Sequence, residues 1–287
     1  MFFNRKEEKM AGILYLISTP IGNLADMTFR SVDILSKVAV LACEDTRNTQ
    51  KLLNLLGVKT AATFVSYHEY NADKMRPKLI QFLQDGKDIA LVSDAGTPLV
   101  SDPGYRLVKE CRAVGLTVVP VPGANAVLPA LQLSGLPSDH FFFNGFLSAK
   151  KSARKAELQV LKNVPATLIF YESPHRVLET LQDMLEIFSD RKAAVVRELT
   201  KKFEEVQNGT LSELVSFYTD NGEPKGEIVI LVDRPEEQQS QDFDIHALLT
   251  EALGKYASLR DAVDAVTKQT QMDRRKIYKE ALDIKNG

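Results

Sequence analysis

Residues 89–104 read IALVSDAGTPLVSDPG. Ile89, Ala90, Leu91 and Val92 form a short apolar run, and residues 93–104 are dense in Gly, Pro, Asp and Ser. This predicts a strand, Ile89–Ser93, turning sharply just past its carboxyl end. The same punctuation occurs on either side of it. Ile13–Ser18 runs into TPIGNL (19–24), and Val118–Val121 runs into PGANA (122–126). In an open α/β sheet, ligands bind just beyond the carboxyl ends of the strands. Three such turns, distant in number, are therefore expected to converge on one cleft lined with main-chain N–H and C=O groups.

Further strands are expected at Val38–Cys43 and Ala62–Ser66. Helical periodicity covers Met27–Leu35, Arg47–Leu56, Asn71–Gln84 and Tyr105–Val114. Gly57, Gly86 and Gly115 follow three of these helices, at the position of a left-handed cap. The alternation of strand and helix predicts a parallel-type α/β sheet. A second set comes after it, with strands at Asp139–Phe143, Thr167–Tyr171, Ala193–Arg197, Phe203–Gly209 and Glu227–Val232 and helices at Ser152–Leu161, Val177–Ile187 and Leu211–Thr219. The Pro120–Pro122 turn marks a joint between domains 12–121 and 122–235, and residues 1–11 read as a flexible arm. After Pro235 comes a polar linker and then three short helices, at Ile245–Tyr256, Leu259–Gln269 and Asp273–Ile284. Residues 258–282 resemble a helix-turn-helix unit; the other reading is a small bundle. Segment 236–287 holds eight Lys/Arg against ten Asp/Glu, a balance that does not favour phosphate binding.

The 287 residues suit two domains. Hydrophobic residues at 44% and charged residues at 26% exclude wholesale disorder. Cys43 and Cys111 are too few and too far apart for a disulfide framework, which suggests a reduced, cytoplasmic protein. His68, His140, His175 and His246 are scattered, and no metal-ligand spacing occurs. The stretch Gly115–Ser138 is free of charge, but four prolines and three glycines break it, so no membrane span is expected. The net charge of −2 does not mark a basic nucleic-acid protein, so such a partner has to be met by local patches.

There is no G-x-x-x-x-G-K-[ST], no G-x-G-x-x-G after the first strand and no G-x-S-x-G. Residue types alone reach only an α/β enzyme with a polar-backbone cleft. The blocks TPIGNLADMTFRS, ACEDTR, SDAGTPLVSDPG, VPGANA and FYESPHR go further. In order, across residues 13–235, they resemble the signature blocks of tetrapyrrole-methylase-like (class III) S-adenosylmethionine methyltransferases. Within these they are similar to the bacterial branch that methylates the ribose 2′-hydroxyl of a cytidine in 16S ribosomal RNA. The resemblance implies two α/β domains with the cofactor cleft between them, a homodimer, S-adenosylmethionine as cofactor, and the 30S subunit or its 16S rRNA as partner. It leaves two alternatives: a small-molecule, tetrapyrrole-type methylase of the same fold, and a non-catalytic ribosome-binding module.

Carried over by position, the resemblance implies cofactor contacts at Pro20, Asp94, Ala95, Gly96, Thr97, Val100, Asn125, Ala126, Tyr171, Glu172 and Leu199. The chain departs from the tetrapyrrole branch in its first turn, PIGN, and in the Ala and Thr that replace parts of G-G-D. That puts the role of Asp94 in question. A ribose hydroxyl is a weak nucleophile, so a base is expected to help remove its proton. Glu44, Asp45, His68 and Glu172 are candidates, with Glu69 beside His68, and nothing in the sequence ranks them. Asp45 has a second reading as a helix N-cap. For RNA, Arg47, Arg176 and the run Lys150, Lys151, Arg154, Lys155 are candidates. From 148 to 163 five cations face only Glu157, next to the aromatics Phe141, Phe142, Phe143 and Phe146. The alternative there is a solvated helix face over a buried strand.

Overall fold

The computed structural model describes residues 10–236, 244–256, 258–270 and 272–286. Most of the expected arm, and most of the polar linker, lie outside these residues. The chain up to Pro235 is one compact unit, and Glu236 onward is another.

The first unit contains two five-stranded sheets. The first comprises β1 (Ile13–Ile17), β2 (Val40–Cys43), β3 (Thr63–Ser66), β4 (Ile89–Val92) and β5 (Thr117–Val121). Every pairing is parallel, in the order β3-β2-β4-β1-β5. Side chains alternate between the faces, and both faces are covered. Leu14, Val40, Ala42, Ile89 and Leu91 pack with Leu79 and Leu83 of α3 (Ala72–Gln84) and with Leu107 and Cys111 of α4 (Tyr105–Ala113). Ile17, Leu41, Cys43, Ala90 and Val92 pack with Leu35 of α1 (Phe29–Lys37) and Leu53 of α2 (Thr46–Leu55). Double coverage is why these strands read as unbroken apolar runs. Gly57, Gly86 and Gly115 take the left-handed conformation expected of them. Cys43 and Cys111 are buried free thiols on opposite faces of this sheet.

The second sheet is mixed rather than all-parallel. Its strands are β6 (Phe141–Phe146), β7 (Thr167–Glu172), β8 (Lys192–Arg197), β9 (Glu205–Thr210) and β10 (Ile228–Val232), in the order β6-β7-β10-β8-β9. Only β6 and β7 are parallel, joined through the crossover helix α6 (Lys151–Leu161). The connection between β8 and β9, residues 198–204, is too short for a crossover, so the pair forms a hairpin. β10 then inserts antiparallel to both β7 and β8. One face of the sheet packs against α6, α7 (Val177–Phe188) and α8 (Leu211–Asn221). The other face holds Val127, Ala130 and Leu131 of α5 (Val127–Ser134) together with Ile21 from the loop after β1.

The structure overturns the RNA assignment of Arg154. Its side chain is wholly buried between α6 and α7, where it binds Asp183 at 2.7 and 2.8 Å and Glu179 at 3.4 Å. Lys155 is held by Glu186 at 2.6 Å, with Asp183 at 3.7 Å. Lys150 and Lys151 remain exposed at the start of the helix. The run is therefore amphipathic, and half of its charge serves to clamp two helices.

The second unit consists, among the described residues, of α9 (Ile245–Lys255), α10 (Leu259–Thr270) and α11 (Arg274–Asn286). It has its own core of Leu249, Ala252, Ala262, Val263, Val266, Ile277 and Ala281.

Removing one partner of a buried ion pair strands the other charge. Arg154→Met is therefore expected to destabilise the protein by about 3–5 kcal/mol in urea unfolding. The double change R154M/D183L should cost clearly less than the two single changes added together. An unchanged midpoint for Arg154→Met would contradict the clamp.

Candidate active site

β4, β1 and β5 are neighbours in the first sheet, so the turns beyond them emerge side by side. Hydrogen bonds then tie these turns together. Thr19 and Gly96 exchange two main-chain bonds, at 2.9 and 3.0 Å. The Thr97 hydroxyl donates to the Ala124 carbonyl at 3.0 Å and lies 2.9 Å from the Ser18 hydroxyl. Gly123 lies against Ser18 so closely that a Cβ on it would come within 2.9 Å of the Ser18 Cβ. The loop after β4 is also strained: Leu99 and Ser101 have φ of 73° and 62° without being glycine. Glu198 and Thr200, after β8, are similar at 51° and 66°. Such conformations cost of order 1–3 kcal/mol each and persist where the surroundings dictate them.

These loops and the ends of the second sheet enclose a cavity of 420 Å³. Asp94, Ala95, Gly96, Thr97 and Val100 line it, as do Asn125, Ala126, Tyr171, Glu172 and Leu199. All the residues expected at the cofactor thus meet there except Pro20. The Pro20 turn contributes through its neighbour Ile21 instead. Tyr171 packs edge-on to Phe143 at 4.8 Å and Phe146 at 5.5 Å. Burial pushes its phenol up to about 12, against a hydrogen bond with the Ala126 backbone that pulls the other way. The tyrosine thereby links the second sheet to the turn after β5.

Of the candidate bases, Glu44 lines the cavity. Its carboxyl is raised above the ordinary range, first by burial and then by the negative charges of Asp94 and Asp102. Asp45 is corrected to the N-cap of α2. It accepts from the Arg47 N–H at 2.8 Å and from the guanidinium at 2.6 and 3.1 Å. Those bonds hold it down to about 2, too acidic to retain a proton. Glu172 is buried and already accepts from the Thr180 hydroxyl at 2.6 Å and the Ser173 N–H at 2.8 Å. These bonds tie it to the turn at the end of β7, and it too lines the cavity. His68 is not among the lining residues, and its Nδ1 is buried without a partner. Glu69 is exposed.

Arg47 is exposed, whereas Arg176 is corrected from an RNA ligand to an internal brace. It donates to the Leu147 and Ser148 carbonyls at 2.9 and 3.1 Å and approaches Glu172 at 3.4 Å. Asp94 accepts from the Asp45 N–H at 3.2 Å and from the Asn48 amide at 2.7 Å, which fixes the loop after β4 to the start of α2.

Reading the sequence overlooked Asp102, Ser101, Gly226 and Glu227, all on the cavity wall. Asp102 is half-buried. Burial raises its carboxyl, the Ser93 hydroxyl lowers it, and Asp94 adds to the rise. It stands inside the block SDAGTPLVSDPG, so its signal was available. Gly226 and Glu227 precede β10, and a strand's amino end reaches the cleft only because β10 runs against its neighbours. Five acids on the wall, Glu44, Asp94, Asp102, Glu172 and Glu227, beside apolar side chains such as Ile21, Val100, Leu199 and Val229, suit a cationic ligand with an apolar body. Among the described residues, no group of His, Cys, Asp and Glu has the geometry of a metal site.

Gly123→Val would force the turn after β5 off Ser18 and break the Thr97 link. Its affinity for S-adenosylhomocysteine, the product form of the cofactor that the resemblance implies, is expected to fall at least about tenfold by calorimetry, equivalent to losing one or two hydrogen bonds. Wild-type affinity would show that the stitched turns do not shape the pocket.

Comparison with known proteins agrees with this geometry. The sequence model for Tetrapyrrole (Corrin/Porphyrin) Methylases matches residues 13–215. The chain is 48% identical over 274 residues to Ribosomal RNA small subunit methyltransferase I of Mesorhizobium japonicum, covering 95% of this chain and 92% of that protein. It is 44% identical over 285 residues to the protein of the same name from Bacillus subtilis, covering 97% and 96%. In structure it is similar to uroporphyrin-III C-methyl transferase from Thermus thermophilus complexed with S-adenyl homocysteine. The TM-score is 0.54 at 19% identity, over 77% of this chain and 97% of that one, a likeness of fold. The chain belongs to the tetrapyrrole methylase family, in the group of the small-subunit ribosomal RNA methyltransferase I proteins.

Proposed function

We propose that the protein transfers a methyl group from S-adenosylmethionine to the ribose 2′-hydroxyl of a cytidine in 16S rRNA. The observation that carries this reading is the meeting of three stitched turns and five carboxylates in one cavity, in a chain close to half identical to ribosomal RNA small subunit methyltransferases I. The residues fit the cofactor. Ile21, Val100, Leu199 and Val229 offer apolar walls to an adenine, and main-chain groups of the Asp94–Thr97 and Asn125–Ala126 turns offer polar partners. Glu44, Asp94 and Asp102 complement positive charge. When bound, the cofactor supplies a methyl group on a cationic sulfur, a strong electrophile that needs little further activation.

The work left to the chain is orientation, exclusion of water and handling of one proton. Glu44 is the residue placed to take the hydroxyl proton. It faces the cavity, and burial together with the charges of Asp94 and Asp102 raises its carboxyl, which makes it a better base than an ordinary carboxylate. Asp94 and Asp102 hold positive charge nearby. Lys150, Lys151 and Arg47, all exposed, are proposed RNA phosphate contacts. Domains 12–121 and 122–235 are proposed to be the two walls of the cleft. The protein is read as cytoplasmic, where ribosomal subunits and reduced thiols occur together. A homodimer is proposed through edge strand β6, where Phe141, Phe142 and Phe146 are exposed. A methylation assay on 30S subunits, naked 16S RNA and a porphyrin precursor tests the substrate class; transfer to the porphyrin alone would overturn the reading.

A base must be ionised to act, so the acid limb of kcat/KM should fall as the pH drops through a value above the usual carboxylate range. Glu44→Gln should abolish that limb and slow transfer to 30S subunits about 10²–10⁴-fold. Asp45→Asn, His68→Ala and Glu172→Gln should each lose less. Wild-type turnover by Glu44→Gln would remove Glu44 from the role.

Reversing charge at Lys150 and Lys151 should weaken RNA binding. The slope of log affinity against log salt should become shallower by about 0.7 per lysine, with cofactor affinity unchanged. Unaltered RNA affinity would reject these contacts.

A further inference from the structure

α2 differs from every other charged α-helix among the described residues: it carries cations and no carboxylate. Its buried residues are Thr49 and Leu53, whereas Arg47, Gln50, Lys51 and Asn54 are exposed. Spacings of three and four residues place these four on one side of the helix. They line a single open groove of 760 Å³, together with Leu55 and with Phe64 of the edge strand β3. No lining residue of the groove is acidic. Asp45, just before the helix, is the one carboxylate that reaches it, through its pair with Arg47 at 2.6 Å. Lys51 forms neither an ion pair nor a side-chain hydrogen bond among the described residues.

The groove adjoins the cavity through one stretch of chain. Glu44 is on the cavity wall, Thr46 is already in the groove, and the Asn48 amide donates at 2.7 Å to Asp94, again on the cavity wall. A polymer with one unit in the cavity therefore meets the groove with its neighbouring units. From Arg47 to Asn54 the helix rises about 10 Å, the length of about three stacked nucleotides at about 3.4 Å each. Arg47 and Lys51 suit phosphates. The amides of Gln50 and Asn54 both donate and accept, as a ribose hydroxyl and base edges do. Their mutual hydrogen bond is long, at 3.3 Å, and exposed, so it is easily exchanged. The pair between Arg47 and Asp45 is exposed and screened as well, and it uses only part of a guanidinium with five N–H donors. An acidic protein face would also meet the cations, but the polyanion that the cavity itself brings here is the chain carrying the target ribose.

We propose that the groove along α2 holds the RNA strand on one side of the target nucleotide, with Arg47 and Lys51 on phosphates and Gln50 and Asn54 on ribose or base edges. This inference rests on the proposed rRNA methyltransferase reading and deepens it. To Arg47 it adds Gln50, Lys51 and Asn54, on one surface that starts at the cavity wall. A strand fixed there leaves the target ribose few orientations beside Glu44, because the wall residue and the groove belong to the same turn and helix.

The test uses the full-length protein, a fluorescent single-stranded RNA of 16S sequence and purified 30S subunits. Lys51→Glu should weaken RNA binding at least about tenfold, the loss of one charge-assisted hydrogen bond. Its slope of log affinity against log salt should become shallower by about 0.7, and KM for 30S subunits should rise. Lys51→Arg should restore binding. Gln50→Ala and Asn54→Ala should each weaken binding about two- to tenfold without altering the salt slope, because they remove neutral contacts. Lys37→Glu, at the far end of α1, makes the same change in net charge and should bind RNA as wild type. Affinity for S-adenosylhomocysteine and thermal stability should be unchanged in all five, because the side chains are exposed and outside the cavity lining. Wild-type RNA affinity in Lys51→Glu would overturn the groove and leave the methyltransferase reading standing. Equal weakening by Lys37→Glu would overturn it in favour of a general effect of charge. A raised KM for 30S subunits with unaltered binding of naked RNA would overturn it in favour of contact with a ribosomal protein. If wild-type protein transfers no methyl group to 30S subunits and binds no RNA, the functional reading fails and the groove with it.

Discussion

The structure depends on a pair of main-chain hydrogen bonds between Thr19 and Gly96, extended by the hydroxyl of Thr97. Without them, the turns after β1, β4 and β5 would be three independent loops, each free to drift. With them, the turns form a single floor. Each bond contributes only about 1 kcal/mol net. Their importance is geometric: they make the positions of Gly96, Asn125 and Ala126 mutually dependent, so the cavity has one shape. Rigid backbone suits a reaction in which orientation contributes most of the acceleration. The strain at Leu99 and Ser101 is consistent with this, because a loop pinned at both ends cannot relax to common φ values.

The first sheet was legible because local and global signals agree in it. Strands covered on both faces leave continuous apolar runs, and the turns after them are written in Gly and Pro. The second sheet was legible as a set of strands but not as an arrangement. Strand direction is set by the length of each connection and by where the last strand inserts. The hairpin 198–204 and the central position of β10 carry no signal within any one strand. The same gap hid part of the site. Gly226 and Glu227 precede a strand, and only an antiparallel β10 brings a strand's start to the cleft.

The misassigned cations have a similar explanation. Arg154 and Lys151 are three residues apart in one basic run, yet one is fully buried and the other exposed. Composition reports charge without direction. The partner that determines Arg154's orientation is Asp183, 29 residues away on a different helix. Arg176 looked available because it follows a strand end, but its guanidinium is occupied by carbonyls of the loop before α6. Asp45 had two readings in the sequence. The structure selects the cap because the first N–H groups of α2 lie within its reach.

The proposed reaction sets two opposite electrostatic demands on a chain whose net charge is −2. A cationic cofactor is favoured by negative charge in the pocket, and a polyanionic substrate is favoured by positive charge around it. The fold separates the two by depth. Glu44, Asp94 and Asp102 occupy the cavity wall, at the ends of β2 and β4, where burial strengthens their mutual repulsion and raises Glu44. Arg30, Arg47 and Arg106 stand on the solvent side of the same edge, on the helices that leave it. At physiological salt, interactions between exposed charges fade over about 8 Å, so an acidic interior does not repel a phosphate chain lying on the rim. Overall charge is therefore a poor guide to the partner of such a protein. The informative quantity is the sign of charge at each depth, which the parallel sheet fixes by placing strand ends inside and helix starts outside.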